Sequence, residues 1–234
     1  ANPDVWSIFS YTRENGVIPN VTVADITVDT AKRLAQYCGS TAVSRYANKD
    51  ICYNSVDRLT QQGMKQINIH YMICQETFDQ CIETINDIRV DSRLKDLNAI
   101  VFLSLKQKGR GIGYTPLSQE KFSELVKICS DMGISYGFDS CSAKKFMESI
   151  SGHPHREQLL TYCESCESTK FSSYINVQGK FFPCSFCEGT TDWEDGLDVV
   201  NCQDFINDIW YHKKTIHFRD NLIKCQTSCP VFNV

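Results

Sequence analysis

The fold is decided by the stretch Ile67-Asn-Ile-His-Tyr-Met-Ile73, which is followed by a segment of different period, Thr77 to Arg89. The first stretch is short and rich in apolar and β-branched residues, as strands are, whereas the second repeats its apolar residues at helical spacing. The same order of strand and helix recurs through the first 150 residues. Further strands are predicted over Val17 to Val23, Thr41 to Ser44, Ile100 to Leu105 and Ile134 to Phe138, and helices over Val5 to Arg13, Val28 to Tyr37, Asn54 to Gln62 and Gln119 to Met132. Alternating units of this kind predict an α/β fold with parallel strands, as a (β/α) barrel or an open doubly wound sheet.

Length, composition and charge narrow the class of protein. The 234 residues are 42% hydrophobic, which suffices for a large buried core without disulfides. A net charge of −4 gives no basic footprint for nucleic acid, and the local cluster Lys106, Lys108 and Arg110 is expected to be a solvated loop. The apolar runs are too short to span a bilayer, no secretory signal opens the sequence, and thirteen cysteines, an odd number, favour reduced thiols. We therefore expect a cytoplasmic protein without a nucleic-acid or membrane partner.

The composition changes after residue 150. The rest of the chain is rich in cysteine, serine and aromatic residues, with a predicted hairpin formed by Phe171 to Val177 and Lys180 to Pro183 and a short helix over Asp204 to His212. Few aliphatic residues are left for its core, as is typical of a small module in which metal replaces part of the core. The expected domains are a partial barrel over 1–150 and a small α+β module over 151–234.

Six late cysteines lie at spacings typical of metal ligands. Two C-x2-C knuckles, Cys163-Glu-Ser-Cys166 and Cys184-Ser-Phe-Cys187, are separated by seventeen residues, and Cys225 and Cys229 follow. Taken alone, the two knuckles have the spacing of a zinc ribbon, which leaves Cys225 and Cys229 without a role. Thiolates at such spacings also hold iron–sulfur clusters, and a hairpin glycine such as Gly179 lets the backbone approach the sulfur atoms. The other cysteines are expected in the core, where a buried thiol is a small apolar group: Cys38, Cys52, Cys74, Cys81, Cys129 and Cys202.

The order of these features resembles the radical S-adenosylmethionine (radical SAM) enzymes that carry a SPASM or Twitch auxiliary cluster domain. Cys166, twelve residues, Gly179, four residues and Cys184 are similar to the opening motif of those domains, and Cys225 and Cys229 resemble their late ligands. The resemblance covers nearly the whole chain. It implies a partial radical-SAM-type (β/α) barrel followed by a Cys-rich auxiliary-cluster module.

This resemblance implies an auxiliary iron–sulfur cluster of the [4Fe–4S] type, with zinc as the alternative metal. Its ligands would be drawn, in this order, from Cys166, Cys184, Cys229 and then Cys225 or Cys141. Cys141 is included because it follows a predicted strand, and Cys163 and Cys187 are surplus or alternative ligands.

Two barrel segments resemble those that approach S-adenosylmethionine in the family. Ser44-Arg45 is similar to the strand near the methionine ribose, and Phe102 to Arg110, which contains Lys106, is similar to the later strand near the adenine. His70 alternates with Ile69 and Tyr71 on its strand, which predicts either a satisfied interior histidine or a cofactor contact. Ser44, Arg45, His70 and Lys106 are therefore the expected cofactor-binding residues.

The family's catalytic cluster is held by a C-x3-C-x2-C triplet, and this sequence contains none. The resemblance therefore implies the C-terminal part of a radical SAM protein, either a fragment or a natural truncation. It would need an N-terminal segment or a second chain with the catalytic cluster, and it would not cleave S-adenosylmethionine alone. The implied function is to support radical-based modification of a peptide or small metabolite. The alternatives are a zinc-stabilised binding module and a non-catalytic radical SAM remnant.

Overall fold

The computed structural model describes residues 2–232, with the side chain of Thr191 left out. The chain divides into two compact units, one of residues 1–103 with 124–139 and the other of residues 104–123 with 140–234. The domain boundary expected at residue 150 from the change in composition stays a prediction. Among the described residues, no helix combines the length and the apolar character needed to cross a bilayer.

Five parallel strands form one sheet, flanked by helices, so that the predicted α/β fold is confirmed at this level. The strands lie side by side in the order in which they occur in the sequence. They are β1 (Asn20–Val23), β2 (Ser40–Ser44), β3 (Ile67–Ile73), β4 (Ala99–Ser104) and β5 (Tyr136–Phe138). The accompanying helices are α1 (Val5–Glu14), α2 (Val28–Tyr37), α3 (Lys49–Gln61), α4 (Phe78–Val90) and α5 (Gln119–Asp131).

Two element boundaries differ from the prediction for identifiable reasons. Strand β1 begins at Asn20 rather than Val17, because Pro19 has no amide hydrogen for the sheet ladder. Helix α3 begins at Lys49 rather than Asn54, because the side chain of Asn48 accepts a hydrogen bond from the amide of Asp50 at 3.0 Å. A cap of this kind stabilises a helix by about 1 kcal/mol, which suffices to extend α3 by a turn and more.

The core of the first unit lies on one face of the sheet. Along β3, Ile67, Ile69, Tyr71 and Ile73 are buried and alternate with less buried residues, as the two-residue period of a strand requires. Helices α3 and α4 both contact this strand. Tyr53 of α3 is fully buried, and its hydroxyl donates to Asp87 of α4 at 2.9 Å. The other face of β3 carries Asn68, His70 and Met72 and is only partly covered.

The second unit contains a small antiparallel sheet and three α-helices that lie outside the first unit. Strands β6 (Tyr174–Ile175), β7 (Lys180–Phe182) and β8 (Leu197–Asp198) pair in that order, which confirms the predicted hairpin. The helices are α6 (Ala143–Ser149), α7 (Arg156–Leu160) and α8 (Lys213–Cys225), and a π-helical turn, Phe205–Trp210, lies where a short helix was predicted. Helix α8 was not predicted from the sequence.

An aromatic cluster forms the core of the second unit. Phe181 and Phe182 of β7, Trp193, and Phe218 and Leu222 of α8 are all buried in it. The hairpin turn depends on Gly179, whose φ of +70° lies in the left-handed region that favours glycine. A Cβ atom at this position would also collide with the side chain of Val200. The glycine is therefore needed for the local fold, whatever the module binds.

Candidate metal centre

Four cysteines of the second unit lie near one another: Cys166, Cys184, Cys187 and Cys229. The sulfur atoms of Cys184 and Cys187 are 3.6 Å apart. The Cys229 thiol interacts electrostatically with Cys166 and with Cys184, and Cys187 interacts with Cys229. These residues come from three separate parts of the chain, the loop before β6, the turn after β7 and the segment after α8. Tertiary folding therefore gathers thiols that are up to 63 residues apart (229 − 166 = 63).

The packing of β7 positions Cys184 and Cys187. Phe181 and Phe182 anchor the end of the strand in the aromatic core, and the chain then turns so that the amide of Cys187 donates to the carbonyl of Cys184 at 3.0 Å. Cys187 itself is fully buried against the same core. The two thiols are thus presented by one tight turn.

Helix α8 positions Cys229. Phe218 and Leu222 bury one side of the helix in the core, and the helix ends at Cys225. Gln226 then takes a φ of +54°, a left-handed conformation that breaks the helix, and the amide of Ser228 donates to the carbonyl of Cys225 at 3.0 Å. This reversal directs the chain to Cys229.

Cys184 is held as a thiolate near neutral pH. A hydrogen bond from the Cys187 thiol lowers the pKa of Cys184, burial opposes it, and the amides of Phe186 and Cys187 and the hydroxyl of Ser168 lower it further, to about 6. The same hydrogen bond, together with burial, raises the pKa of Cys187. The two groups therefore share one proton, which Cys187 holds.

Cys229 is surrounded by amide donors as well. Burial raises the pKa of Cys229, and the backbone N–H groups of Val231 and Phe232, 3.4 and 3.3 Å from its sulfur, oppose that effect. Hydrogen bonds from N–H and O–H groups to sulfur stabilise thiolates and tune metal–sulfur centres. The donors around Cys184 and Cys229 therefore fit a metal-binding thiolate site.

The geometry of the four thiols fits one metal ion only in part. Two metal–sulfur bonds of about 2.3 Å at a tetrahedral angle place their sulfur atoms about 3.8 Å apart, close to the separation of Cys184 and Cys187. In the part of the chain that the structure describes, however, no three cysteine, histidine or acidic side chains already form a metal-ligand group. Cys166 and Cys229 therefore interact with the pair without completing a ligand group around one position.

The remaining predicted ligands lie in other surroundings. Cys225 is half-buried at the last position of α8, and Cys141 is half-buried in a short helical turn, Ser140–Ser142. Both stay predictions. Cys163, of the zinc-ribbon alternative, donates to the carbonyl of Ala143 at 3.7 Å, and burial raises the pKa of its thiol. Cys187, which the resemblance ranked as surplus, is the cysteine whose sulfur lies 3.6 Å from that of Cys184.

The first unit contains three of the four predicted cofactor-binding residues and brings two of them, Ser44 and His70, together on one face of the sheet. Ser44 pairs with His70 across β2 and β3, and the amide of Arg45 donates to the carbonyl of His70 at 2.9 Å. Burial lowers the pKa of His70, and the nearby Asp139 carboxylate opposes this. The guanidinium of Arg45, by contrast, lies over the ring of Tyr53 at 5.9 Å, on the helix side of the sheet, and its Nε has no hydrogen-bond partner among the described residues.

Lys106 lies in the second unit, in a basic segment that is only partly the solvated loop expected from the sequence, since Arg110 is exposed but Lys106 is buried and Lys108 half-buried. Lys106 is only 6% exposed, and its ammonium lies 5.0 Å from the centroid of the Phe186 ring. Lys108 donates to the backbone carbonyl of Phe186 at 2.9 Å and to that of Glu188. Residue spacing in the sequence could not predict these contacts, because Phe186 and Glu188 are 78 and 80 residues away from Lys108.

Comparisons with known proteins identify no relative. The chain matches none of the models of known protein families, and no curated protein matches it.

Proposed function

We propose that the second unit of this chain holds a metal–sulfur centre, and that the whole chain is the auxiliary part of a radical SAM-type protein. The observation that carries the proposal is the gathering of Cys166, Cys184, Cys187 and Cys229 from three parts of the chain, with Cys184 kept as a thiolate. A thiolate kept in a half-buried turn is costly unless its charge is compensated, and a bound cation compensates the charge of Cys184.

The strand order supports a barrel segment rather than an open doubly wound sheet. A doubly wound sheet reverses its strand order at one point, whereas β1 to β5 follow one another without reversal. With right-handed crossovers, an unreversed order puts every connecting helix on the same face. The opposite face carries Ser44, Asn68 and His70, half-buried polar residues of the kind that line the inside of a functional barrel.

Cys166, Cys184, Cys187 and Cys229 would hold the centre. A bound iron–sulfur cluster supplies one-electron redox chemistry. Cys184 enters as a thiolate, and Cys187 must release the shared proton before it can bind. The amides of Val231 and Phe232 and the hydroxyl of Ser168 stay on the sulfur atoms and limit their charge, while Phe181 and Phe182 exclude water from one side.

The substrate would be a peptide or small metabolite that a radical attacks elsewhere in the complete enzyme. The 234 residues contain no C-x3-C-x2-C triplet, so the catalytic cluster has to come from another segment or chain. Ser44 and His70, together on one face of the sheet, are the groups of the first unit that would meet S-adenosylmethionine.

A single zinc ion is the second candidate, and one distance favours it. Thiolates on one tetrahedral ion are separated by roughly the 3.6 Å seen for Cys184 and Cys187, whereas each thiolate of a four-iron cluster binds a different iron and lies further from the next. With zinc, the second unit would be a stabilised binding module without redox activity.

Anaerobic purification of the full chain, followed by metal analysis and a visible spectrum, tests the proposal. Bound iron with a broad visible absorption band is the expected result, and Cys166→Ser combined with Cys184→Ser should remove both. Cys202→Ser is the matched control, since the Cys202 thiol donates to the carbonyl of Val199 at 3.2 Å in the same unit. Equimolar zinc without a visible band would replace the first candidate by the second. A chain that takes up neither metal would overturn both.

A further inference from the structure

We propose that Lys108 is a positioning residue of the cysteine site, whose ammonium fixes the turn from Cys184 to Cys187 in the conformation that binds metal. The proposal rests on the metal–sulfur centre proposed above. It assigns a role to a residue that composition places in a solvated loop.

Lys108 holds the backbone carbonyls of Phe186 and Glu188, the two residues on either side of Cys187. Its Nζ atom donates to the carbonyl of Phe186 at 2.9 Å and to the carbonyl of Glu188. The carbonyl of Cys187 between them accepts from the amide and the hydroxyl of Thr190, at 3.0 and 2.7 Å. Three successive carbonyls are thus fixed, which leaves the backbone around Cys187 little freedom to rotate.

Fixing the Phe186 carbonyl also directs an amide toward Cys184. The carbonyl of Phe186 and the N–H of Cys187 belong to one planar peptide group and point in opposite directions. When Lys108 holds the oxygen, the N–H faces the Cys184 side of the turn, where it donates to the Cys184 carbonyl at 3.0 Å and also interacts with the Cys184 sulfur. Loss of the ammonium would free this peptide group to turn away.

The charge of Lys108 favours the same state. A centre with several thiolates concentrates negative charge, and a cation close to it reduces the repulsion between them. The ammonium of Lys106, over the Phe186 ring at 5.0 Å, adds a second positive charge beside a residue of the same turn. Partners beyond the direct ligands orient those ligands, and their removal typically weakens metal binding about 10- to 100-fold.

The backbone of the loop that carries Lys108 is constrained, which limits the movement of the lysine. Gly109 has a φ of +55°, in the left-handed region, and the amide of Gly111 donates to the carbonyl of Lys108 at 3.0 Å. A Cβ atom at Gly111 would lie 2.6 Å from the carbonyl oxygen of Lys106, so only glycine fits there. The glycine-rich stretch Lys108 to Gly113 therefore presents a lysine to the cysteine turn.

Cobalt titration of the metal-free full chain tests this role, because Co²⁺ bound by thiolates has a visible charge-transfer band. Lys108→Met is expected to weaken Co²⁺ binding by roughly 10-fold or more. Lys108→Arg, which can still donate to two carbonyls, should restore binding to within about threefold. Lys144→Met, at an exposed lysine of the same unit, is the control and should bind like the parent chain.

Amide hydrogen exchange gives a second readout that does not depend on metal. Lys108→Met should speed exchange over residues 184–190 and leave β6 to β8 unchanged. Exchange that is unchanged in the turn, or Co²⁺ affinity equal to that of the parent, overturns the role of Lys108. If Lys108→Met fails to fold, Lys108→Gln, which keeps N–H donors but loses the charge, should show an intermediate loss of Co²⁺ affinity. Parent-like affinity in Lys108→Gln counts against the proposal. If the parent chain binds no Co²⁺ but Lys108→Met still exchanges faster over residues 184–190, the metal site is refuted. The role of Lys108 in fixing the turn is then retained.

Discussion

The buried cysteines of the first unit and Cys184 of the second carry the same side chain in opposite protonation states. Burial raises the pKa of Cys52, slightly offset by Arg45, and of Cys129, in each case to about 12. In the second unit the pKa of Cys184 falls to about 6, chiefly through the hydrogen bond from Cys187. Cys184 is half-buried, yet donors surround its sulfur. Hydrogen-bond donors, rather than burial, thus separate a ligand-like cysteine from a core cysteine.

Removal of single cysteines is expected to give the largest difference in metal affinity between the two units. One thiolate of four accounts for about a quarter of the roughly 10–16 kcal/mol of a structural zinc site, or roughly 2.5–4 kcal/mol. Cys184→Ala should therefore weaken zinc binding on the order of 100- to 1,000-fold. Cys129→Ala, at an equally small side chain in the first unit, should leave affinity unchanged. Equal losses in the two variants, measured by competition with a chelator, would erase the distinction.

Thiol reactivity sharpens the comparison without metal. At pH 7 the Cys184 thiolate should react with iodoacetamide about 100-fold faster than Cys52 or Cys129. Only ionised thiols react, and of these three cysteines Cys184 alone is not fully buried and can be reached by the reagent. Its rate should rise through about pH 6 and then level off. Peptide mass spectrometry after short pulses at several pH values measures each site separately. A rate for Cys184 that still climbs above pH 8 would contradict the low pKa.

A substitution at Gly179 should lower the stability of the second unit and leave that of the first unit unchanged. Gly179→Ala should destabilise the second unit by roughly 2 kcal/mol, since it adds a left-handed non-glycine residue and a collision with Val200. Gly137→Ala in β5 is the control, because a Cβ there meets only Val101 at 3.9 Å. Urea unfolding followed by tryptophan fluorescence reports on the second unit through Trp193 and Trp210. A loss of the same size in both variants would argue against a special role for Gly179.

The pH dependence of stability is the smallest expected difference. The folded pKa of Cys184, about 6, lies below its ordinary value of 9.0, so its contribution is present above pH 9 and is lost as the pH falls toward 6. The raised pKa of Cys187 acts in the opposite sense above pH 9. The metal-free chain should therefore melt a few degrees higher at pH 8.5 than at pH 7. Cys184→Ala should abolish the rise and Cys52→Ala should keep it; a rise that persists in Cys184→Ala assigns it to another group.

The sheet of the first unit was predictable because its signals are local. Strand β3 and helices α2 and α4 follow from residue periodicity, and the expected core cysteines Cys38, Cys52, Cys74, Cys81 and Cys129 are indeed buried. Errors arose only at ends, where Pro19 and Asn48 shift a boundary. Cys202 is only half-buried, since its thiol donates to a backbone carbonyl at the surface of the core.

The second unit was less predictable because its arrangement depends on contacts between distant residues. Helix α8 is rich in charged and polar residues, and only Thr215, Phe218 and Leu222 of it are buried, so its period is weak in the sequence. The C-x2-C spacing indicated metal ligands but could not rank Cys187 above Cys163. That ranking follows from the 3.6 Å between Cys184 and Cys187 and the separate contact of Cys163 with Ala143.

X-ray absorption at the metal edge of the loaded full chain tests the central claim most directly, since it reports the atoms bound to the metal. We predict a first shell of sulfur alone at about 2.3 Å, which Cys187→Ser changes and Cys163→Ser does not. Metal–metal scattering beyond that shell would identify an iron–sulfur cluster, and its absence a single ion. A first shell of nitrogen or oxygen, or one that Cys187→Ser leaves unchanged, would contradict a centre built on Cys166, Cys184, Cys187 and Cys229.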